Sequence, residues 1–173
     1  MTGGEGQILV GCIGNIFLGD DGFGVEAARA LAAVDLPAEA KLVDYGIRAL
    51  DLAYALLQPW RAVILVDTIA RSGAAGSLYL LEAQDEQGHD GEKVDDFNPH
   101  AMSPVQMVAL ARSLGNITAP IYIVGCEPQD FGAELEGRMG LSPEVAAAVP
   151  EAARMVLRLI EQLAEAGDLA GAR

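Results

Sequence analysis

A short strand, a glycine-rich loop and a helix follow one another near the start of the chain, and they constrain its fold more than any other stretch. The apolar run within residues 7–13 predicts a buried strand, and apolar residues at helical spacing predict a helix over residues 22–34. The loop between them carries Asn15, Asp20 and Asp21. Because glycine allows backbone conformations that other residues forbid, such a unit usually indicates a phosphate-binding cradle.

The residues of this loop argue against a phosphate. Its glycines fall at Gly11, Gly14 and Gly19, which does not match the dinucleotide-binding spacing. Where a P-loop has Lys and Ser or Thr, this chain has Asp20 and Asp21, and carboxylates at a helix N-terminus repel phosphate. The loop therefore predicts either a cation site or an aspartate that caps the helix. Both can hold, because adjacent side chains point in different directions.

Composition narrows the class of protein. The chain has 173 residues, enough for one domain with a proper core, and 51% of them are hydrophobic. A net charge of −14 argues against nucleic acid or an anionic membrane surface as a partner. With no basic leader and no apolar run of transmembrane length, we expect a cytoplasmic protein.

The two cysteines do not form a metal-binding or catalytic motif. Cys12 and Cys126 each end a predicted strand, and no pair of cysteines has zinc-ligand spacing. Neither has a cationic neighbour in sequence that would lower the thiol pKa. We expect both to be reduced core residues.

The rest of the chain continues to alternate between strands and helices. Pro150 either kinks the last helical region or begins a second helix there, and Leu50, Tyr54 and Leu57 share one face of the second helix. The predicted elements are strands over residues 41–45, 62–67, 77–82 (an edge strand) and 120–124, helices over 49–57 and 104–114, a last helical region from Ser142, and a frayed tail over 166–173.

This alternation predicts an α/β fold. The five apolar residues that precede Asp67 do not alternate with polar ones, which indicates a strand buried on both faces. Residues 1–173 contain no linker and no internal repeat. We therefore predict a single three-layer domain, with a central, mostly parallel twisted sheet flanked by helices on both faces.

Acidic residues end two of the predicted strand segments. Asp67 closes the buried strand, and the loop with Asp20 and Asp21 follows the first strand, so both reach the same edge of a parallel sheet. His100 lies just before the helix that Ser103 and Pro104 begin. Two carboxylates and an imidazole would make a three-ligand site for a divalent metal, with open positions. Local hydrogen bonding of Asp67 or His100 is the alternative, and His89 is expected to be a solvated surface residue.

Several motifs, in this order, resemble those of the nickel–iron hydrogenase maturation endopeptidases, and the resemblance covers nearly the whole chain. The motifs are Gly14-Asn15 through Gly19-Asp20-Asp21-Gly22-x-Gly24, Asp44-x-Gly46, the strand ending in Asp67, His100 before its helix, Gly125-Cys-Glu-Pro, and Leu141-Ser-Pro-Glu-Val.

The resemblance implies an α/β metal-assisted peptidase that removes a C-terminal peptide from the precursor of a hydrogenase large subunit after nickel insertion. It implies that Asp21, Asp67 and His100 are the metal-binding and catalytic residues. The metal would be the nickel of the precursor, or another divalent metal at the same site. The protein would be a monomer that binds the precursor transiently.

The same resemblance implies that Asn15, Asp44 and Gly46 lie on the substrate side of the site. Here the sequence departs from the family, which often has Asp-Gly-Gly-Thr-x-Gly where this chain has Asp44-Tyr-Gly-Ile-Arg-Ala49. We expect a stiffer loop that carries Arg48, and this difference bears on which large subunit is processed.

Two other functions remain as alternatives. A non-catalytic chaperone that checks for nickel would bind the precursor without shortening it. A small-molecule hydrolase or phosphorylase with a related sheet is a weaker alternative, because the chain has no basic phosphate-binding motif.

Overall fold

Strands and helices alternate along the chain, as the sequence predicts. The computed structural model describes residues 6–83, 102–129 and 137–171, with side chains as far as residue 166. The elements are β1 (Ile8–Ile13), a 3-10 turn (Gly19–Gly22), α1 (Phe23–Ala32), β2 (Ala40–Gly46), α2 (Ala49–Leu56), β3 (Ala62–Thr68), β4 (Leu78–Glu82), α3 (Pro104–Leu114), β5 (Ile121–Cys126) and α4 (Pro143–Gly171).

Within these ranges, five strands form one sheet in the order β2-β1-β3-β5-β4. Neighbouring strands are parallel except for β4, which pairs antiparallel with β5 at the edge. Every residue of β3 is buried, which explains the uninterrupted apolar run in its sequence. The predicted α/β class and the edge strand are confirmed.

The sheet separates two hydrophobic clusters, because successive side chains of a strand point to opposite faces. On one face, Ile8, Val10 and Ile64 belong to the cluster that includes side chains of α1 and α4. On the other face, Leu9 and Leu65 belong to the cluster that includes side chains of α2 and α3. The predicted three-layer arrangement is therefore confirmed.

The order of the strands creates a crevice between β1 and β3. The chain runs outward from β1 to the edge strand β2, then crosses back so that β3 lies on the other side of β1. The connection that follows β1 leads to one side of the sheet, and the connection that follows β3 leads to the other side. A gap therefore opens between the two connections at the carboxyl ends of β1 and β3. Such a reversal is where open α/β sheets bind their ligands.

The start of α3 is fixed by a reciprocal pair of hydrogen bonds. The Ser103 hydroxyl accepts from the Gln106 N–H at 3.3 Å, and the Gln106 side-chain oxygen accepts from the Ser103 N–H at 2.8 Å. Pro104 occupies the first turn, where its missing N–H costs nothing. The predicted helix start is confirmed.

The last helix is longer than the sequence predicts. Pro150 lies inside α4, so the alternative of a second helix starting there is wrong. The helix also extends to Gly171, into the segment from residue 166 that is predicted to be frayed. The surrounding alanines and the apolar stripe outweigh the one hydrogen bond that proline removes. Neither α4 nor any other helix in the described ranges is long and apolar enough to cross a membrane.

The second helix presents apolar side chains on both sides. Leu50 and Tyr54, which the sequence places on one face, are 54% and 55% exposed. The buried face consists instead of Ala49, Leu52, Ala53 and Leu56.

Candidate metal-binding site

A narrow cleft lies at the carboxyl ends of β1 and β3, where the strand order reverses. Asp21 and Asp67 line it together with Gly14, Gly46 and Ile47. Its volume is about 20 Å³. A space of that size holds about one water molecule, so it can admit an ion but not a peptide. The structure therefore brings together the two carboxylates that the sequence predicts as metal ligands.

Asp67 is buried at the end of β3, with only 4% of its surface exposed. Its Oδ1 accepts hydrogen bonds from the Thr68 N–H at 2.7 Å and the Thr68 hydroxyl at 3.4 Å. Burial raises the pKa of Asp67 well above its usual value, and the negative charge of Asp21 raises it further, against the opposing effect of the Thr68 bonds. A cation in the cleft would offset both unfavourable effects.

Asp21 faces the same cleft from the loop after β1. Its Oδ2 accepts a hydrogen bond from the Asn15 N–H at 3.1 Å. Burial raises the pKa of Asp21, and this hydrogen bond opposes the rise. The helix-cap interpretation is wrong for both aspartates, because the N-cap of α1 is Gly22 and the helix has no side-chain cap hydrogen bond. A 3-10 turn over residues 19–22 leads into α1, and the aspartates make longer-range contacts.

Glycine is required at position 14 for this loop to close. Gly14 has φ of 155°, and a Cβ there would lie 2.2 Å from the backbone oxygen of Asp21. Its N–H donates to the Gly46 oxygen at 3.0 Å, which joins the loop after β1 to the end of β2. The close approach of the Gly14 backbone to the Asp21 backbone oxygen thus determines the position of Asp21.

Asp20 has a structural role that the sequence does not reveal. It is fully buried, and its carboxylate accepts hydrogen bonds from the Ser142 N–H at 2.6 Å, the Ser142 hydroxyl at 3.0 Å and the Gln129 N–H at 2.8 Å. These contacts connect the Asp21 loop to the start of α4 and to the segment after β5. The adjacent Asp20 thereby fixes the loop from which Asp21 reaches the cleft.

The loop after β2 is braced by Arg48. Its guanidinium donates to the Asp44 oxygen at 2.5 Å and to the Tyr45 oxygen at 3.2 Å. The Asp44 side chain accepts from the Gly46 N–H at 2.9 Å, and Gly46 has φ of 52°. These bonds connect Arg48 and Gly46 to the end of β2, and the expected stiffness of this loop stays a prediction.

The three residues predicted to bind substrate, Asn15, Asp44 and Gly46, differ in their position relative to the cleft. Gly46 lines it, whereas Asp44 is exposed. The Asn15 side-chain oxygen accepts from the Phe17 N–H at 3.0 Å, which stabilises the turn of its own loop. Their contact with substrate stays a prediction.

Another buried carboxylate, Glu127, follows β5. Its Oε2 accepts hydrogen bonds from the Arg71 N–H and the Tyr79 hydroxyl, both at 2.8 Å. Burial raises the pKa of Glu127, but the bonds from Arg71, Tyr79 and the amides of Ser72 and Gly73 outweigh it, so the pKa is lowered overall. Glu127 therefore holds the loop that follows β3. Apart from the Gly125-Cys-Glu-Pro motif, no sequence pattern predicts this role.

The remaining predicted site residues are the histidines and cysteines. His89 and His100 lie outside the described residues. Cys12 and Cys126 are both buried free thiols, as predicted. Across residues 6–83, 102–129 and 137–171, no three His, Cys, Asp or Glu side chains come together as a metal cluster. In this part of the chain the donor set is thus two carboxylates, which suits hard and borderline divalent cations, and His100 as third ligand stays a prediction.

Comparison with known proteins identifies relatives of this chain. A sequence profile of hydrogenase maturation proteases matches residues 25–159. The hydrogenase 2 maturation protease of Escherichia coli is 25% identical over 157 residues, covering 90% of this chain and 92% of that protein. The hydrogenase expression/formation protein HupD of Rhodobacter capsulatus is 28% identical over 152 residues, covering 86% of this chain and 70% of HupD.

The fold is also similar to that of a solved protease. The hydrogenase maturating endopeptidase HybD from Escherichia coli superimposes with a TM-score of 0.70 at 24% identity, over 90% of this chain and 93% of HybD. The profile match spans α1 to α4, most of the chain, and includes Asp67. This chain therefore belongs to the hydrogenase maturation protease family and is a hydrolase that acts on peptide bonds.

Proposed function

We propose that this protease removes a C-terminal peptide from the nickel-loaded precursor of a nickel–iron hydrogenase large subunit. The observation that carries the proposal is the position of Asp21 and Asp67, which line one ion-sized cleft at the reversal of the strand order. In a family of hydrogenase maturation proteases, a cleft of this size and charge is suited to a metal ion presented by the substrate.

The nickel of the precursor is part of the substrate in this proposal. Asp21 and Asp67 supply oxygen ligands to it, and His100 supplies a nitrogen ligand. Asp67 is held by Thr68 and Asp21 by the Asn15 amide, so both carboxylates are oriented before substrate arrives. Only a precursor that carries the metal would then seat its scissile bond at the cleft.

Cleavage is proposed to be metal-assisted. A divalent ion polarises a nearby peptide carbonyl and lowers the pKa of a bound water, and both effects favour attack on the scissile bond. The residues of this chain contribute by holding the ion. The loop that contains Asp44 and Gly46, together with Asn15, is proposed to contact the substrate around it. We further propose that the protease acts as a cytoplasmic monomer that binds the precursor transiently.

The test is the intact mass of the large-subunit precursor from the same organism, before and after incubation with this protein. We expect nickel-loaded precursor to lose one defined C-terminal peptide and nickel-free precursor to keep its mass. Asp21→Asn should abolish the cleavage without unfolding the protein, because it removes an anionic ligand but keeps the side-chain shape. Asp35→Asn, at an exposed position after α1, is the matched control and should cleave normally.

Other outcomes would reject the proposal. If nickel-loaded precursor binds but keeps its length, the protein acts as a nickel-checking chaperone and the cleavage proposal is wrong. If Asp21→Asn cleaves at the wild-type rate, the metal-ligand assignment is wrong even though the peptidase assignment holds.

A further inference from the structure

The outer side of α2 is an apolar surface in the described part of the chain that the proposed chemistry does not use. Ile47, Leu50 and Tyr54, here called the α2 stripe, are 49%, 54% and 55% exposed. Their spacing of three and four residues places them along one side of the helix and of the turn that precedes it. A surface helix normally keeps its outer face polar.

The opposite side of α2 is already buried. Leu52, Ala53 and Leu56 pack in the cluster between the sheet, α2 and α3. The helix therefore has apolar side chains on two sides, of which only one contacts the rest of the described protein. A group of exposed apolar side chains on one side of a surface helix is typical of an interaction site, which favours a partner that covers this side.

The α2 stripe is continuous with the candidate site. Ile47 lines the cleft that contains Asp21 and Asp67, and Leu50 and Tyr54 extend from it along α2. A cleft of about 20 Å³ admits only an ion-sized group. A macromolecule that presents such a group must make the rest of its contact on the rim, and the rim beside Ile47 is the α2 stripe.

The stripe is also preformed, and a pair of opposite charges lies beside it. The buried face fixes the helix, while the exposed Arg48 and Asp51 next to the stripe lie 3.5 Å apart and balance each other. Arg48 is further held by the Asp44 and Tyr45 oxygens. A rigid apolar surface binds another rigid surface at a lower entropic cost than it binds a disordered tail, which must be ordered on binding.

We infer that the α2 stripe is the docking surface for the folded body of the precursor, at the apolar surface that surrounds its metal site. This inference rests on the proposed function, since it takes the hydrogenase large-subunit precursor as the partner. It makes Leu50 and Tyr54 determinants of which precursor is bound, whereas Asp21 and Asp67 act on the metal.

The test is the kinetics of precursor processing by wild type, Leu50→Ser and Tyr54→Ser. We expect each substitution to raise KM about tenfold and to leave kcat unchanged, because docking contacts are equal in the ground and transition states. Tyr54→Phe should keep nearly the wild-type KM, since the apolar ring remains. Leu114→Ser is the matched control, a leucine at the far end of α3 that is 43% exposed, and its KM should not change.

A separate experiment tests which molecule covers the α2 stripe. A synthetic peptide with the sequence of the removed C-terminal segment should not compete with precursor for wild-type enzyme. Competition by that peptide would overturn the inference in favour of the tail as occupant. A dimer of this protein that dissociates on Tyr54→Ser would overturn it in favour of a second copy.

The two proposals fail in different ways. If wild type does not shorten nickel-loaded precursor, the proposed function is wrong. If wild type shortens it and Asp21→Asn does not, while Leu50→Ser and Tyr54→Ser keep the wild-type KM, only the docking surface is wrong.

Discussion

The carboxylate of Asp20 accepts two hydrogen bonds from Ser142, one from its N–H at 2.6 Å and one from its hydroxyl at 3.0 Å. Both residues are buried, with 0% and 6% of their surfaces exposed. Because Asp21 follows directly in the chain, this pair ties a predicted metal ligand to the start of α4. Stability and site geometry should therefore change together when the pair is altered.

Ser142→Ala should destabilise the protein by about 1–3 kcal/mol, because a buried carboxylate loses a hydrogen-bond donor. Urea unfolding at neutral pH measures this change. Ser113→Ala is the control, since the exposed Ser113 hydroxyl bonds only to the Leu110 oxygen of its own helix. The control should stay within about 0.5 kcal/mol of wild type. An equal effect of the two substitutions would show that the Asp20–Ser142 contact does not stabilise the fold.

Gly14→Ala should disrupt the loop that carries Asp21, because the added Cβ would lie 2.2 Å from the Asp21 backbone oxygen. Processing of nickel-loaded precursor should be lost. The free energy of unfolding should fall by more than about 1–2 kcal/mol, which is what a positive φ alone costs. Gly140→Ala separates the two effects, since Gly140 also has positive φ but a Cβ there meets nothing within 4 Å. That control should lose about 1–2 kcal/mol and retain processing. Normal processing by Gly14→Ala would contradict the assigned role of the close contact.

The stability contributed by Glu127 should depend on pH. Its pKa is lowered in the folded protein, because the hydrogen bonds it accepts outweigh the effect of burial. The Glu127 carboxylate therefore binds a proton more tightly in the unfolded chain than in the folded protein. Its contribution to stability is fully present above the ordinary pKa of a glutamate and is lost as the pH falls through the lowered pKa of the folded state. The difference in free energy of unfolding between wild type and Glu127→Gln should shrink as pH falls from about 7 to below about 4.

A second variant checks that Glu127 acts through its hydrogen bonds. Tyr79→Phe removes one donor and leaves the amide of Arg71, so it should reduce the pH-dependent difference without abolishing it. A difference that stays constant over this pH range would mean that Glu127 has the same pKa in the folded and unfolded chains.

The two cysteines should not react in the folded protein. Both are fully buried, burial raises the pKa of Cys126 to about 12, and burial with the charges of Asp44 and Asp67 raises that of Cys12 even further. Iodoacetamide at about pH 8 should label native protein at least about a hundredfold more slowly than unfolded protein. Mass spectrometry counts the labels, and denatured chain should take up two, matching its two cysteines. Rapid native labelling would place a thiol in an accessible site.

Local sequence patterns predicted the sheet and most of the element positions. The apolar run of β3 and the Ser103-Pro104 start of α3 depend on near neighbours in the chain, so both are confirmed. The meeting of Asp21 and Asp67 was also predictable, because carboxyl ends of parallel strands share one edge. His100 could not be tested in the same way, since it lies outside the described residues.

Features that depend on distant parts of the chain were not predictable. Nothing near Asp20 in the sequence indicates that its partner is Ser142, and nothing near Glu127 indicates Arg71 and Tyr79. The face of α2 that packs inward was equally undetermined. Both of its faces are apolar, so periodicity alone cannot choose between them.

The bond between Asp20 and Ser142 joins residues 122 positions apart, and this has a consequence for protein synthesis. Domains begin to fold as the chain leaves the ribosome, at about 5–20 residues per second, and contacts between distant residues form last. The loop with Asp21 emerges early, but its bonds to Ser142 cannot form until the start of α4 has been synthesised. A growing or truncated chain that lacks Ser142 therefore has both predicted carboxylate ligands but lacks the bonds that tie the Asp21 loop to α4, so we expect its proteolytic activity to be lower than that of a chain that contains α4.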